Sequence, residues 1–159
     1  GLTNGQIDEV EAASHARLRD FESELLPLPG VANVLMRLNE LEIPLTLVSS
    51  ACLTTSGVHQ RLDALGLESH FENVVALPDL WHKYPDRPAF QVAAEIAELA
   101  AHRLGFVGRD TAVLAQAGEQ GIRRIAVNYD EDAAADVFIR SFDRLLHAVP
   151  WDIEQVAIS

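Results

Sequence analysis

Among its 159 residues the chain has a single cysteine, Cys52. One thiol cannot close an internal disulfide, so the fold must hold by its core. With no secretory leader pattern at the start, this favours a reducing, cytoplasmic setting. Cys52 itself reads as a small buried core residue, ahead of a reactive thiol. Basic residues are also scarce: 12 Lys and Arg stand against 24 Asp and Glu, for a net charge of −12. That balance repels nucleic acid and anionic membrane, but leaves room for a local basic pocket around a small anion. No apolar run is long enough to span a bilayer. The six histidines are scattered, and none pairs with another His or Cys at zinc-ligand spacing. A Gly-x-Ser-x-Gly elbow, a Walker loop and a Gly-x-Gly-x-x-Gly turn are all missing, as are internal repeats and low-complexity linkers.

What is present is hydrophobic: 48% of the residues, enough for one domain with a real core. Residues 6–25 read as an acidic helix, because Ile7, Val10, Leu18, Phe21 and Leu25 recur at helical spacing. Thr3 or Asn4 could cap it. The Leu26-Pro27-Leu28-Pro29-Gly30 stretch ends it, since proline forbids helix continuation. That hinge divides the chain into an N-terminal helix over residues 1–26, a core domain over 27–150 and a tail over 151–159.

Beyond the hinge, helices and strands alternate. Amphipathic helices are expected over 31–41, 53–65, 88–101, 112–120 and 142–148, and short apolar strands over 44–48, 73–77, 104–107 and 124–128. Gly66 and Gly121 stop the helices they follow. Such alternation implies an α/β fold: a three-layer, Rossmann-like parallel sheet with helices on both faces. Ligands of such sheets bind at the carboxyl ends of the strands.

The residues at those ends are therefore the candidates. Ser49 and Ser50 follow the first strand and precede a helix, where hydroxyls and free N–H groups suit an anion. Simple capping is the competing and commoner explanation. Lys83 lies in a Pro-rich loop after the second strand and could neutralise a phosphate, or merely be a solvated surface charge. Arg109 and Asp110 follow the third strand. Asp110 is a weak metal-ligand candidate, set against a role as helix cap. Asp130, Glu131 and Asp132 follow the fourth strand and read as a solvated acidic loop more than as a cation site.

Taken in order, these segments resemble the haloacid dehalogenase-like superfamily, in particular phosphatases of the phosphoglycolate phosphatase and β-phosphoglucomutase type. LLPLPGVANVLMRLNELEIPLTLVSSA is similar to the hinge, helix and second motif, with Ser49 at the phosphoryl-binding position. RLDALGLESHFENVVAL resembles the segment after it. Lys83, with Pro85, Pro88 and Phe90, resembles the third motif. LGFVGRDTAVLAQAGEQGIRRIAVN resembles the fourth, and ADVFIRSFDRLLHAV the usual ending. On this resemblance residues 6–25 are a remnant of the inserted cap.

Two departures from the family pattern bear on function. The first motif, DxDGT, which carries the nucleophilic aspartate, does not occur in the chain. In the fourth motif, Arg109 and Val113 stand where the resemblance places two metal-binding acids, and Asp110 falls one position late. The resemblance then implies a phosphatase-like domain without a catalytic nucleophile, acting by binding a protein or a small anion through Ser49, Ser50, Lys83 and Arg109. No cofactor is expected, and magnesium only if the first motif were supplied. The alternative is a magnesium-dependent phosphomonoester hydrolase whose first segment lies outside this chain. Trp81 and Trp151 offer apolar surface for self-association; Trp151 could instead pin the tail.

The family places the first-motif strand in mid-sheet, between the strands over 44–48 and 104–107. Its loss leaves three outcomes: the two strands close up, a partner donates a strand, or the natural chain is longer.

Overall fold

The computed structural model describes residues 26–49 and 53–148, with Thr3, Gly5, Glu9 and Ala13 as isolated positions. The expected N-terminal helix, Ser50, Cys52, Trp151 and the tail lie outside the described residues.

Helix α1 spans Val31–Glu40. Gly30 opens it in the left-handed region, at a φ of 83°, which glycine adopts without steric cost. Strand β1 follows at Thr46–Ser49 and α2 at Thr55–Ala64. Next come β2 at Asn73–Ala76, α3 at Leu77–Lys83 and α4 at Ala89–Ile96. The chain continues through β3 at Gly105–Gly108, α5 at Thr111–Glu119, β4 at Arg123–Val127, β5 at Val137–Ile139 and a short α6 at Leu145–Ala148. The alternation expected from sequence is present. The differences are local, among them the end of the helix expected over 88–101 already at Ile96. β5 has no counterpart among the expected strands. Residues 77–83, which read as strand end and Pro-rich loop, form α3: Pro78 falls in the first turn, where its missing N–H costs no helical hydrogen bond.

All strand pairs are parallel. They form two sheets among the described residues, β1–β2 and β3–β4–β5. No described strand stands between β1 and β3, and those two strands do not pair. The closing-up of the sheet, one of the three outcomes considered, has therefore not occurred.

Side-chain alternation defines the layers. On one face, Leu47, Val74 and Ala76 meet Leu35, Val58 and Leu62. On that same face Val107, Ile125 and Val127 meet Val34, Leu38 and Leu145. α1 therefore straps both sheets: Leu35 packs over one, Val34 and Leu38 over the other. α4 does the same opposite. Val92 and Ala93 join Val75 and Leu80, while Phe90 joins Ala117 and Ile122 beside Phe106 and Val48. The Phe90 and Phe106 rings meet edge to face, 4.7 Å between centroids. Helices thus cover both faces, as the fold class requires, and bridge the two sheets of the described residues.

Candidate functional site

Ser49 is the last residue of β1 and is half-buried. Its hydroxyl makes no hydrogen bond to another described residue, so its donor and acceptor capacity is open. The helix after it starts later than the sequence suggests, at Thr55. Thr54 caps that helix, its hydroxyl accepting the Gly57 N–H at 3.3 Å. The Thr55 N–H donates to Asp79 Oδ2 at 2.6 Å. The anion at this helix N-terminus is therefore a carboxylate of the chain itself, delivered by α3. Hydrogen bonding from Thr55 holds the Asp79 carboxyl below its usual range. Sequence reasoning misses Asp79. Its position in the first turn of α3, just after an apolar strand, is the available signal.

Lys83 is the last residue of α3 and is exposed. Its ammonium lies 5.2 Å from the centroid of the Tyr84 ring, and the Arg87 guanidinium lies 5.5 Å from the same centroid. Arg87 is neutralised by Glu95. Lys83 has no acidic partner among the described residues, so its charge is available. A solvated surface lysine describes its exposure, while its place at the end of α3 fixes where the charge is presented.

The turn after β3 is organised differently. Asp110 caps α5: its Oδ1 accepts the Val113 N–H at 2.9 Å. The capping role considered for Asp110 is present: one carboxylate oxygen satisfies an N–H that helix geometry leaves unpaired. Val113 packs against the cluster of Phe90, Ala117 and Ile122. Arg109 donates to Asp130 Oδ1 at 3.3 Å, and both side chains are exposed. Next to it, the Thr111 hydroxyl donates to Asp132 Oδ1 at 3.2 Å. Two acids of the loop after β4 thus stitch that loop to the β3–α5 turn.

The structure brings Arg109 to Asp130 and Thr111 to Asp132; no hydrogen bond or ion pair joins Ser49, Lys83 and Arg109 to one another. Among the described residues no group of three or more His, Cys, Asp or Glu is placed to hold a metal ion. Magnesium needs a near-octahedral set of oxygens. An arginine, a valine and a capping aspartate do not fit it. Two surface cavities lie elsewhere. One, of about 590 Å³, opens beside Gly118, Arg123, Arg124 and Asp136 at the start of β4. The other lies along Phe138, Arg140, Arg144 and His147. No helix among the described residues is long and apolar enough to cross a membrane.

Residues 3–127 match the family model of haloacid dehalogenase-like hydrolases. No curated protein matches the chain in sequence. Solved structures share its fold. A predicted phosphoglycolate phosphatase from Haemophilus somnus 129PT superposes with a TM-score of 0.65 at 20% identity, over 76% of this chain and 56% of that one. The β-phosphoglucomutase of Clostridium difficile gives 0.74 at 13% identity, over 91% and 65%. A CbbY variant from Rhodobacter sphaeroides, in complex with xylulose-1,5-bisphosphate, gives 0.72 at 19% identity, over 91% and 68%. The chain spans a little over half the length of the first of these and under two thirds of the second.

Proposed function

We propose, from the premise that the chain belongs to the haloacid dehalogenase-like hydrolase family, that it binds a small phosphate-like anion through Ser49 and Lys83 without itself transferring a phosphoryl group. One observation carries this reading: every group at the fourth-motif turn is committed to structure. Arg109 is paired with Asp130, the Asp110 carboxylate caps α5, and Val113 belongs to the apolar layer. Phosphoryl transfer through a carboxylate needs a cation to shield two anions from one another, and by the resemblance Arg109 stands where one acidic ligand of that cation belongs. By contrast, the Ser49 hydroxyl and Lys83 ammonium are donors without acceptors among the described residues. A hydroxyl and a cation that converge on one anion would hold it without cleaving an ester. The setting we propose is the cytoplasm, in keeping with Cys52 as the sole cysteine.

Arg109 is a reserve contact in this scheme. It becomes a third donor only when released from Asp130. Isothermal titration with inorganic phosphate tests the reading. Saturable heat is expected, weakened at least fivefold by Lys83→Ala or Ser49→Ala and strengthened by Asp130→Asn. Absence of heat in the wild type rejects it. Turnover of p-nitrophenyl phosphate with magnesium above the buffer rate would reject the non-catalytic half.

A second reading is favoured by a different observation, the missing pairing between β1 and β3. In it, a nucleophile-bearing strand from outside these residues completes a magnesium-dependent hydrolase. It accounts for the interrupted sheet and leaves Arg109 and Val113 unexplained.

A further inference from the structure

We infer that a cationic cavity at the outer edge of the larger sheet binds a small organic anion, its charge on Arg140, Arg144 and His147 and an apolar portion on Phe138. The inference stands whether or not the Ser49 and Lys83 reading holds. Among the described residues β5 is the outermost strand of its sheet. Phe138 lies in β5 and Arg140 directly follows it. Arg144 closes the 3-10 turn at Phe142–Arg144, and His147 belongs to α6. Arg144 and His147 are three positions apart, the spacing that brings two side chains to one side of a helical segment. All four residues, with Ser141 and Ala148, line one cavity of about 490 Å³. That volume suits a small molecule.

Charge sets this place apart from the rest of the surface. Acids outnumber Lys and Arg by 24 to 12 in the chain, yet no Asp or Glu lines the cavity. Arg37, Arg87, Arg109 and Arg124 are each paired with a carboxylate. Arg140, Arg144 and His147 are exposed and have no acidic partner among the described residues. Asp143 is the one acid between Val137 and Ala148, and it lies beside Gly30 at the start of α1. A lone exposed arginine is ordinarily solvated. Two arginines around one cavity repel each other, and an anion between them relieves that repulsion. Their guanidinium forks match the oxygens of phosphate and carboxylate, and the imidazole adds a donor. Phe138 is 49% exposed, and its ring is steadied edge to face by Tyr129, 5.0 Å between centroids. A flat apolar group therefore has a ring to lie on beside the charges. The net charge of −12 repels an extended polyanion, whereas a small anion meets chiefly the local field. The ligand class is thus a phosphate monoester or a dicarboxylate that carries an aromatic portion.

The test follows amide NMR shifts of the isotope-labelled full chain during titration with phenyl phosphate and, separately, with isophthalate, which distinguishes the two anion chemistries. Saturable shifts at Arg140, Arg144 and His147 are expected with at least one probe. Affinity for that probe should fall at least fivefold in Arg140→Gln and in Arg144→Gln and stay unchanged in Lys83→Ala. Phe138→Ser should weaken it at least threefold, because the aromatic portion then loses its ring. No saturable shifts with either probe, or wild-type affinity in both arginine variants, overturns the inference. Shifts lost in Lys83→Ala and kept in the arginine variants assign the anion to Ser49 and Lys83 and overturn it as well. So does binding that emerges only when residues 151–159 are deleted, because Asp152 or Glu154 of the tail would then be the anion held there.

Discussion

β4 and β1 are both short apolar strands between two helical layers, yet they are buried to different depths. β4 has a partner on each side, and Ile125 and Ala126 are 0% exposed. Among the described residues β1 has a partner on one side only, and all four of its residues are half-buried. Their side chains are comparable in hydrophobicity; their pairing is not. Between these two strands, burial follows pairing. Pairing alone does not decide burial in the smaller sheet: β2 also has one partner among the described residues, yet its Val75 and Ala76 are buried. β1 and β3 hold no buried residue, whereas β2, β4 and β5 each hold at least one.

The largest expected effect breaks this comparison at its strong side. Ile125→Ala leaves a cavity in a fully buried layer and should cost about 3–4 kcal/mol, whereas Val48→Ala in half-buried β1 should cost only about 1 kcal/mol. Urea unfolding of both variants gives the ratio directly. Equal losses would mean that β1 is as well packed as β4.

A smaller effect sharpens the outer boundary of the closed sheet. Asp136 accepts from the Arg124 main-chain N–H at 2.7 Å and from its Nη2 at 2.9 Å. Its own N–H donates back to the Arg124 carbonyl at 3.0 Å. These bonds join the start of β4 to the entry of β5. Hydrogen bonds from the Arg124 guanidinium and main chain lower the Asp136 carboxyl to about 2. A folded value below the unfolded one, about 4, stabilises the fold above the unfolded value, and the gain is lost as pH falls through the folded one. Both side chains are partly solvated, so Asp136→Asn should cost under about 1 kcal/mol at neutral pH. The denaturation midpoints of variant and wild type should converge between about pH 4 and about pH 2. A difference that persists at the acid end would assign the effect to packing instead.

Much of this architecture is legible in the sequence. The order of helices and strands from Val31 onward follows from apolar periodicity and glycine stops, and Ser49 ends its strand much as the pattern implies. β5 escapes because Val137–Ile139 is only three residues long and follows an acidic loop, giving no period to read. α3 escapes because prolines at 78 and 85 mimic a loop, although the first is harmless in a first turn. The links from Arg109 to Asp130 and from Thr55 to Asp79 join residues 21 and 24 positions apart. They depend on which strands are neighbours, which local pattern does not encode. The interruption of the sheet is foreseeable only as a question, because the sequence shows that a motif is missing without showing how the remaining strands respond.

Amide hydrogen exchange on the full chain, without any added peptide, bears most directly on the interrupted sheet. The amides of Ile125 and Ala126 should exchange at least a hundredfold more slowly than those of Val48 and Val107, whose strands each have one partner among the described residues. Uniform protection across β1, β3 and β4 would contradict the account, because it would mean that the sheet is continuous in solution.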